Sequence, residues 1–390
     1  MKTKQYYADY CTACGLCAAY QDVAFQEENG FDVPSIQTEE QRKFCEKVCP
    51  VNSLPLNQKE DVTLWGEHQG AFLAYSRDEE VRYQAASGGI LTSLAVYLLE
   101  SRKVDAVLQI GRDADPLRIK LYCNSQRGEV VNCAASRYIT GLTYQDLPRY
   151  LQSGKKYAII GKPCDIEAIT NLMAIDAFVN ECIQYRLTFF CAGAPSRNAS
   201  RKMVEHLGAR LENVLEIRYR GNGWPGLATV KTETEEYQMP YIDSWNQILG
   251  RDIRKICKFC LNGIGETADL SCGDLWNLNE SKEPVFFESA GQNIVFARNQ
   301  KGLDLLNEAA QAGYIHAEPF AGMDEMGCIQ PNHIMKRTTM LGKMIGLKLL
   351  RRETPCYRLG HLRKLSKNIG PVKLAKTVLG TVKRGLQGTL

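Results

Sequence analysis

Lys156-Tyr157-Ala158-Ile159-Ile160-Gly161-Lys162-Pro163-Cys164 reads as a short apolar strand running straight into a Pro-Cys turn. Upstream, Gly70 to Tyr75 and Val104 to Ile110 read as further strands. Between them Ser87-Gly88-Gly89 opens an amphipathic helix over Ile90 to Glu100, with apolar residues at helical spacing. Downstream, Arg186 to Cys191 is another strand ending on a cysteine. Strands alternating with helices predict an α/β (α+β) body. Two strands that end on a cysteine put Cys164 and Cys191 at strand C-terminal ends, where such sheets build their sites.

At 390 residues, 44% hydrophobic and 24% charged, the chain is long enough for two or three domains and reads as globular. No apolar leader precedes the first cysteine, and no run reaches the ~18 apolar residues of a membrane span. A cytoplasmic setting is therefore expected, where clustered Cys-x2-Cys pairs favour metal over disulfides.

There are 15 cysteines. Cys11-x2-Cys14-Gly-x-Cys17 with a later Cys49-Pro50 has the spacing of a bacterial ferredoxin [4Fe–4S] site, with Cys45 as the alternative fourth ligand. Structural zinc is the competing use of four thiolates. Ala18-Ala19-Tyr20-Gln21 stands where a two-cluster ferredoxin would carry another Cys-Pro. Residues 1–55 are thus expected to form a small ferredoxin-like module, followed by a linker over 56–70. A second group is looser: Cys164, Cys191 and the pair Cys257-x2-Cys260, which lies among Arg251, Arg254, Lys255 and Lys258. Spacing alone leaves that pair as a redox dithiol or half a metal site.

Ser87-Gly88-Gly89 at a helix start suits an anion, because glycine lets backbone N–H groups approach a phosphate. An ordinary N-cap would look the same. Arg137-Tyr138 and Arg218 to Trp224 add cations and aromatic faces that could hold a flavin's pyrophosphate and ring. Residues 331–390 carry 14 Lys and Arg against one acid, Glu353, whereas the first 330 carry 34 against 43. This tail is expected to form one or two amphipathic helices, over Met340 to Arg352 and Leu374 to Leu386. It is either a solvated extension or a docking element for an anionic membrane surface or an acidic partner. The acidic body argues against nucleic acid.

Taken together, Ser87 to Thr92, Val104 to Val107, Gly161 to Ala168, Phe190 to Ser196, Tyr219-Arg220-Gly221, Cys257 to Cys260 and Ala268 to Trp276 resemble the coenzyme F420 hydrogenase/dehydrogenase beta-subunit family. They occur in family order over about residues 70–300. The resemblance implies a flavin-binding region over 70–150 and a second region over 151–330 that holds an inner [4Fe–4S] cluster. It puts the ligands of that cluster at Cys164, Cys191, Cys257 and Cys260. It puts FAD contacts at Ser87, Gly88, Gly89 and Thr92, with Arg137 and Tyr138 nearby. Lys162 and Cys272 depart from the pattern, Cys272 as a spare ligand or a buried thiol. No clear deazaflavin signature follows Trp276.

The expected function is an iron–sulfur flavoprotein oxidoreductase. It would pass electrons between a ferredoxin or other redox protein, two clusters, FAD and a two-electron substrate such as coenzyme F420. The alternatives are a non-catalytic electron-transfer subunit and an accessory protein of polysaccharide biosynthesis. None of the five histidines sits in a matching motif, and no catalytic acid is assigned. The substrate, the direction of electron flow and the oligomeric state are not written in the sequence.

Overall fold

A computed structural model describes residues 2–389. Its frame is an eight-stranded mixed sheet. In spatial order the strands are Ile315–Pro319, Gly70–Ser76, Asn293–Ala297, Leu270–Asp274, Ile183–Phe189, Tyr157–Gly161, Ala106–Arg112 and Ile119–Asn124. The four from Leu270–Asp274 to Ala106–Arg112 run parallel, and antiparallel strands flank them. Helices Ile90–Glu100 and Gln300–Gln311 pack on one face through Leu94, Leu98, Leu305 and Leu306. Helix Pro163–Met173 covers the other through Ile166, Ile169 and Leu172. A smaller three-stranded sheet, Val214–Arg218, Leu227–Thr232 and Glu236–Pro240, stands beside helix Arg197–His206 with its own core.

The expected helix over Ile90 to Glu100 forms with those bounds. Two strands shift by two residues or more. The strand expected from Val104 runs Ala106–Arg112, and the one expected to end on Cys191 ends at Phe189. Cys164 lies in the first turn of a helix whose first residue is Pro163, where a missing N–H costs nothing.

The N-terminal segment contributes helices Lys4–Tyr10, Leu16–Gln21 and Glu39–Val48 and a two-stranded hairpin, Ala24–Glu28 with Phe31–Ser35. It is pinned to the body by buried arginines. Arg197 makes a bidentate pair with Asp32 at 3.0 and 2.9 Å, and Arg254 donates to the carbonyls of Cys11 and Asp32 at 2.8 and 2.5 Å. The expected linker is equally fixed. It opens with helix Leu54–Gln58, buries Val62, and has its Thr63 and Trp65 carbonyls held by Arg337 and Arg298.

The tail is not a separate element. It forms helices Pro331–Leu349, Leu359–Leu365 and Gly370–Leu386. The first of these enters a core shared with Tyr6, Tyr10, Val51 and Phe259 through Met340, Met344 and Leu347. None of the described helices is long and apolar enough to cross a membrane.

The same helix carries His333, buried edge-on against Phe190 at 5.2 Å between ring centroids. Burial pushes its imidazole down to about 3, with Lys336 and Arg337 adding repulsion. Between the ordinary value near 6.5 and about 3 the unfolded chain takes up a proton that the folded chain refuses. His333 therefore supports the fold fully above pH ~6.5, and below it costs about 1.4 kcal/mol per pH unit. Melting curves from pH 7 to 5 should fall less steeply for His333→Gln than for the parent chain.

Candidate metal centres and anion site

The parallel strands end toward irregular loops that carry the thiols. Cys191 lies two residues beyond Phe189, and its N–H donates to the Gly263 carbonyl at 2.8 Å. Cys257 sits in the 3₁₀ turn Lys255–Phe259, its Sγ accepting from the Ala194 N–H at 3.4 Å. Cys164, Cys191, Cys257 and Cys260 lie within electrostatic reach of one another. Burial, then repulsion from Cys257, pushes Cys191 up to about 11 and Cys260 up to about 12. Burial and the Asp165 carboxylate hold Cys164 well above the usual thiol range.

The N-terminal thiols form a second group. Cys11 caps helix Lys4–Tyr10, Cys17 sits inside helix Leu16–Gln21, and Cys49 ends helix Glu39–Val48. Tight turns make this loop. Gly15 adopts φ +81°, and a side chain there would meet the Gln145 backbone nitrogen at 2.9 Å. Cys11, Cys14, Cys17 and Cys49 face one another electrostatically. Burial pushes Cys11 up to about 11 and raises Cys14 and Cys49 further, whereas a hydrogen bond with Cys45 lowers Cys17. Cys45 therefore touches this group through Cys17. Cys272 does not join the inner group. It is buried in the strand Leu270–Asp274, against the sheet core, with Arg298 as its only charged neighbour among the described residues.

Among the described residues no group of three or more His, Cys, Asp or Glu side chains stands close enough to hold a metal ion as placed. The thiols converge without closing on a point. Their chemistry nevertheless fits a thiolate-bound centre. Buried thiols raised by their neighbours ionise only when a cationic centre offsets the repulsion. Buried polar atoms without hydrogen-bond partners also gather here. Thr12 Oγ1 and Arg254 Nε lie at the outer group, and Asp165 Oδ1 and Glu167 Oε1 at the inner. Burial pushes the Glu167 carboxyl up to about 8, against a hydrogen bond from Asn262 at 2.8 Å.

Spacing does not reveal three residues that complete these surroundings. Lys336, from the tail, donates to the Ala192 carbonyl and faces both Cys191 and Cys260. Tyr357, also from the tail, donates to the Phe259 carbonyl at 2.9 Å beside Cys260. Tyr144 stands between the groups. Its N–H donates to the Cys14 carbonyl at 2.7 Å, and its unpartnered, buried hydroxyl faces Asp165, Cys14 and Cys164. Lys162, the departure from the family pattern, contacts Asp165 at 2.6 Å and Thr143 at 3.2 Å. Burial opposes its charge, and Asp165 with Cys164 overcomes that and keeps it cationic.

The anion-site residues fall on loops that meet. Gly89 begins its helix at φ +78°, while Ser87 Oγ donates to the Gln292 carbonyl at 3.0 Å and so does not cap that helix. A side chain at Gly88 would strike Asn293 Oδ1 at 2.7 Å. Thr92 is half-buried in the next turn. Gly221 joins the loops, with the Gln84 carbonyl, Arg218 Nη1 and Ala135 all against it. Arg137 is half-buried with an unpartnered Nε, and desolvation plus repulsion from Arg218 and Arg112 pushes it down to about 10. Arg112 is exposed and already paired with Glu216, which leaves Arg137 and Arg218 as the guanidiniums that invite an anion. Tyr138 packs among Tyr219, Tyr241 and Trp245. Arg220 is already committed, paired with Asp274 at 2.8 and 2.9 Å, and Trp224 stacks on Trp276 at 4.8 Å.

Comparison with known proteins places this arrangement in context. The family model described as "Coenzyme F420 hydrogenase/dehydrogenase, beta subunit N-term" matches residues 71–144, and its companion for the C terminus of the same beta subunit matches 154–322. Coenzyme F420 hydrogenase subunit beta of Methanococcus voltae is 22% identical over 259 residues, covering 65% of this chain and 85% of the relative. F420-dependent formate dehydrogenase subunit beta of Methanocaldococcus jannaschii is 26% identical over 243 residues, covering 62% of this chain and 60% of the relative. A chain from the xenon-derivatised F420-reducing [NiFe] hydrogenase complex of Methanosarcina barkeri superposes with a TM-score of 0.53 at 21% identity, over 72% of this chain and 96% of that one. That superposition speaks for the fold.

Gly161 tests the junction between the thiol groups. A methyl there would lie 2.5 Å from the Tyr144 hydroxyl. Gly161→Ala should cost roughly 1–3 kcal/mol by overpacking. Adding Tyr144→Phe should recover most of the lost melting temperature if the hydroxyl is the obstacle.

Proposed function

Because the chain belongs to the coenzyme F420 hydrogenase/dehydrogenase beta-subunit family, we propose that this oxidoreductase is an iron–sulfur flavoprotein with two [4Fe–4S] centres and FAD. Residues 1–55 would carry the outer centre on Cys11, Cys14, Cys17 and Cys49. The body would carry the inner one on Cys164, Cys191, Cys257 and Cys260. Ser87, Gly88, Gly89 and Thr92 would receive the flavin, with Arg137 and Arg218 on its phosphates and Tyr138 close by. The observation that carries the reading is the convergence of eight buried or half-buried thiols into two groups with Tyr144 between them.

Bound FAD supplies the exchange between single electrons and a hydride. The chain's own residues set the conditions for it. Lys162 and Lys336 place positive charge beside the inner thiols and favour their ionised, ligating form. Cys11 and Cys14 are buried and the other six thiols half-buried, which limits water at both groups. The buried Ala13 N–H, on Cys11 Sγ at 3.2 Å, and the Ala194 N–H on Cys257 are the hydrogen bonds to sulfur that tune such centres. The proposed electron partner is a ferredoxin or similar protein, with coenzyme F420 or another organic acceptor as substrate, in the cytoplasm. A role as the electron-transfer subunit of a larger complex is the second reading, favoured by relatives that are themselves named as subunits.

Anaerobic purification should yield about eight irons and one flavin per chain. Cys11→Ala and Cys164→Ala should each remove about four irons, from different centres. Stoichiometric zinc with no flavin would overturn the reading. Reduction of coenzyme F420, NAD(P)⁺ or ferredoxin by the reconstituted protein identifies the substrate.

A further inference from the structure

The last helix, Gly370–Leu386, is buried on one side only. Thr377 and Thr381 lie against Gly342 and Gly346 of helix Pro331–Leu349, where an added methyl would meet their Cβ atoms at 2.9 and 2.7 Å. Those two glycines let the helices approach closely. On the opposite side Val372, Leu379 and Leu386 recur every seven residues and are 67%, 68% and 77% exposed. At 100° per residue they form one row along ~21 Å of helix. Lys376 and Lys383 flank the row within about 60°, and Lys373 and Arg384 lie further round. Among the described residues none of these four cations forms an ion pair, and no acid follows Glu353 in the described tail.

We propose that this helix docks the protein on an anionic lipid surface. Val372, Leu379 and Leu386 enter the interface, and the lysines reach the headgroup phosphates from one flank. An exposed apolar row beside unpaired cations is what an interfacial helix presents. A second copy of the chain would set these cations against the same cations. An acidic partner engaging the charges alone would leave three large apolar side chains in water. A bilayer containing anionic lipid satisfies both halves. The helix is seated beside the inner thiol loop, since Lys258 donates to the Thr389 carbonyl at 3.3 Å. Docking therefore orients that loop relative to the membrane plane.

The test is flotation of the full chain with vesicles of phosphatidylcholine alone and of phosphatidylcholine with about one-third phosphatidylglycerol. Binding to the second only, released by about 0.5 M salt, is the expected result. Leu379→Ser with Leu386→Ser should lower the partition coefficient at least about tenfold. Both positions are exposed, so unchanged melting and circular dichroism will show that the variant folds. Lys376→Gln with Lys383→Gln should weaken binding to the anionic vesicles and flatten its dependence on salt, because fewer charges remain to be screened. Equal binding to neutral vesicles, or unchanged binding by the leucine variant, overturns the proposal. Self-association abolished by the leucine variant without lipid binding also overturns it, in favour of a second copy. Capture of an acidic protein without vesicle binding overturns it in favour of that partner.

Discussion

The structure depends on buried cations that satisfy irregular backbone. Thiols brought near one another from five separate segments cannot all sit in helices or strands, so carbonyls beside them lack regular partners, and leaving these buried and unpaired is costly. Arg254 takes the Cys11 carbonyl, Arg337 the Leu261 carbonyl at 2.5 Å, Arg298 the Ile264 carbonyl at 2.6 Å and Lys336 the Ala192 carbonyl. Each of these carbonyls belongs to a cysteine or lies within a few residues of one. The same charges would offset the negative potential of these thiols once ionised. Arg337 is itself neutralised by Glu266 at 2.6 Å, so the network does not leave it a lone buried charge.

This arrangement changes the meaning of the basic tail. Its excess of lysine and arginine looks like a surface property when counted along the chain. In the fold it divides. Lys336 and Arg337 serve the thiol loops, Lys343 takes the Lys258 carbonyl at 2.8 Å, and Lys364 meets Asp61 at 3.1 Å. Lys348, Arg351, Arg363 and Lys367 stay exposed, and the last helix adds Lys373, Lys376, Lys383 and Arg384 to the outside. One compositional signal therefore conceals two physical roles, separated by which helix face each residue occupies.

What can be read in the sequence follows the range of the forces involved. The helix Ile90–Glu100 and the strands at Gly70 and Tyr157 are legible because apolar period and glycine punctuation are local. The thiols are legible as two groups, the outer from spacing and the inner only through family resemblance. Strand pattern alone misplaces Cys164 on a strand end although Pro163 marks a helix start. Composition alone sets the tail apart, because burial of Arg337 and Met340 leaves no local trace. Tyr144, Lys336 and Tyr357 are invisible for the same reason. Each reaches its thiols by tertiary packing, and no short pattern records such a meeting.

The two ends of the described chain clasp each other. Tyr10 donates to the Glu353 carbonyl at 2.8 Å across 343 residues, Tyr6 donates to the Val51 carbonyl at 2.9 Å, and the Cys356 N–H reaches that same Val51 carbonyl at 3.5 Å. The order of synthesis then matters. At ribosomal speeds the Cys11-to-Cys17 loop leaves the exit tunnel roughly 20–70 s before the segment that closes over it. During that interval its thiols are exposed to oxygen, to stray metal and to each other. For the centre proposed on these thiols, a cell would either shield the nascent thiols or complete the site only after release, so maturation would be a problem of timing as much as of affinity.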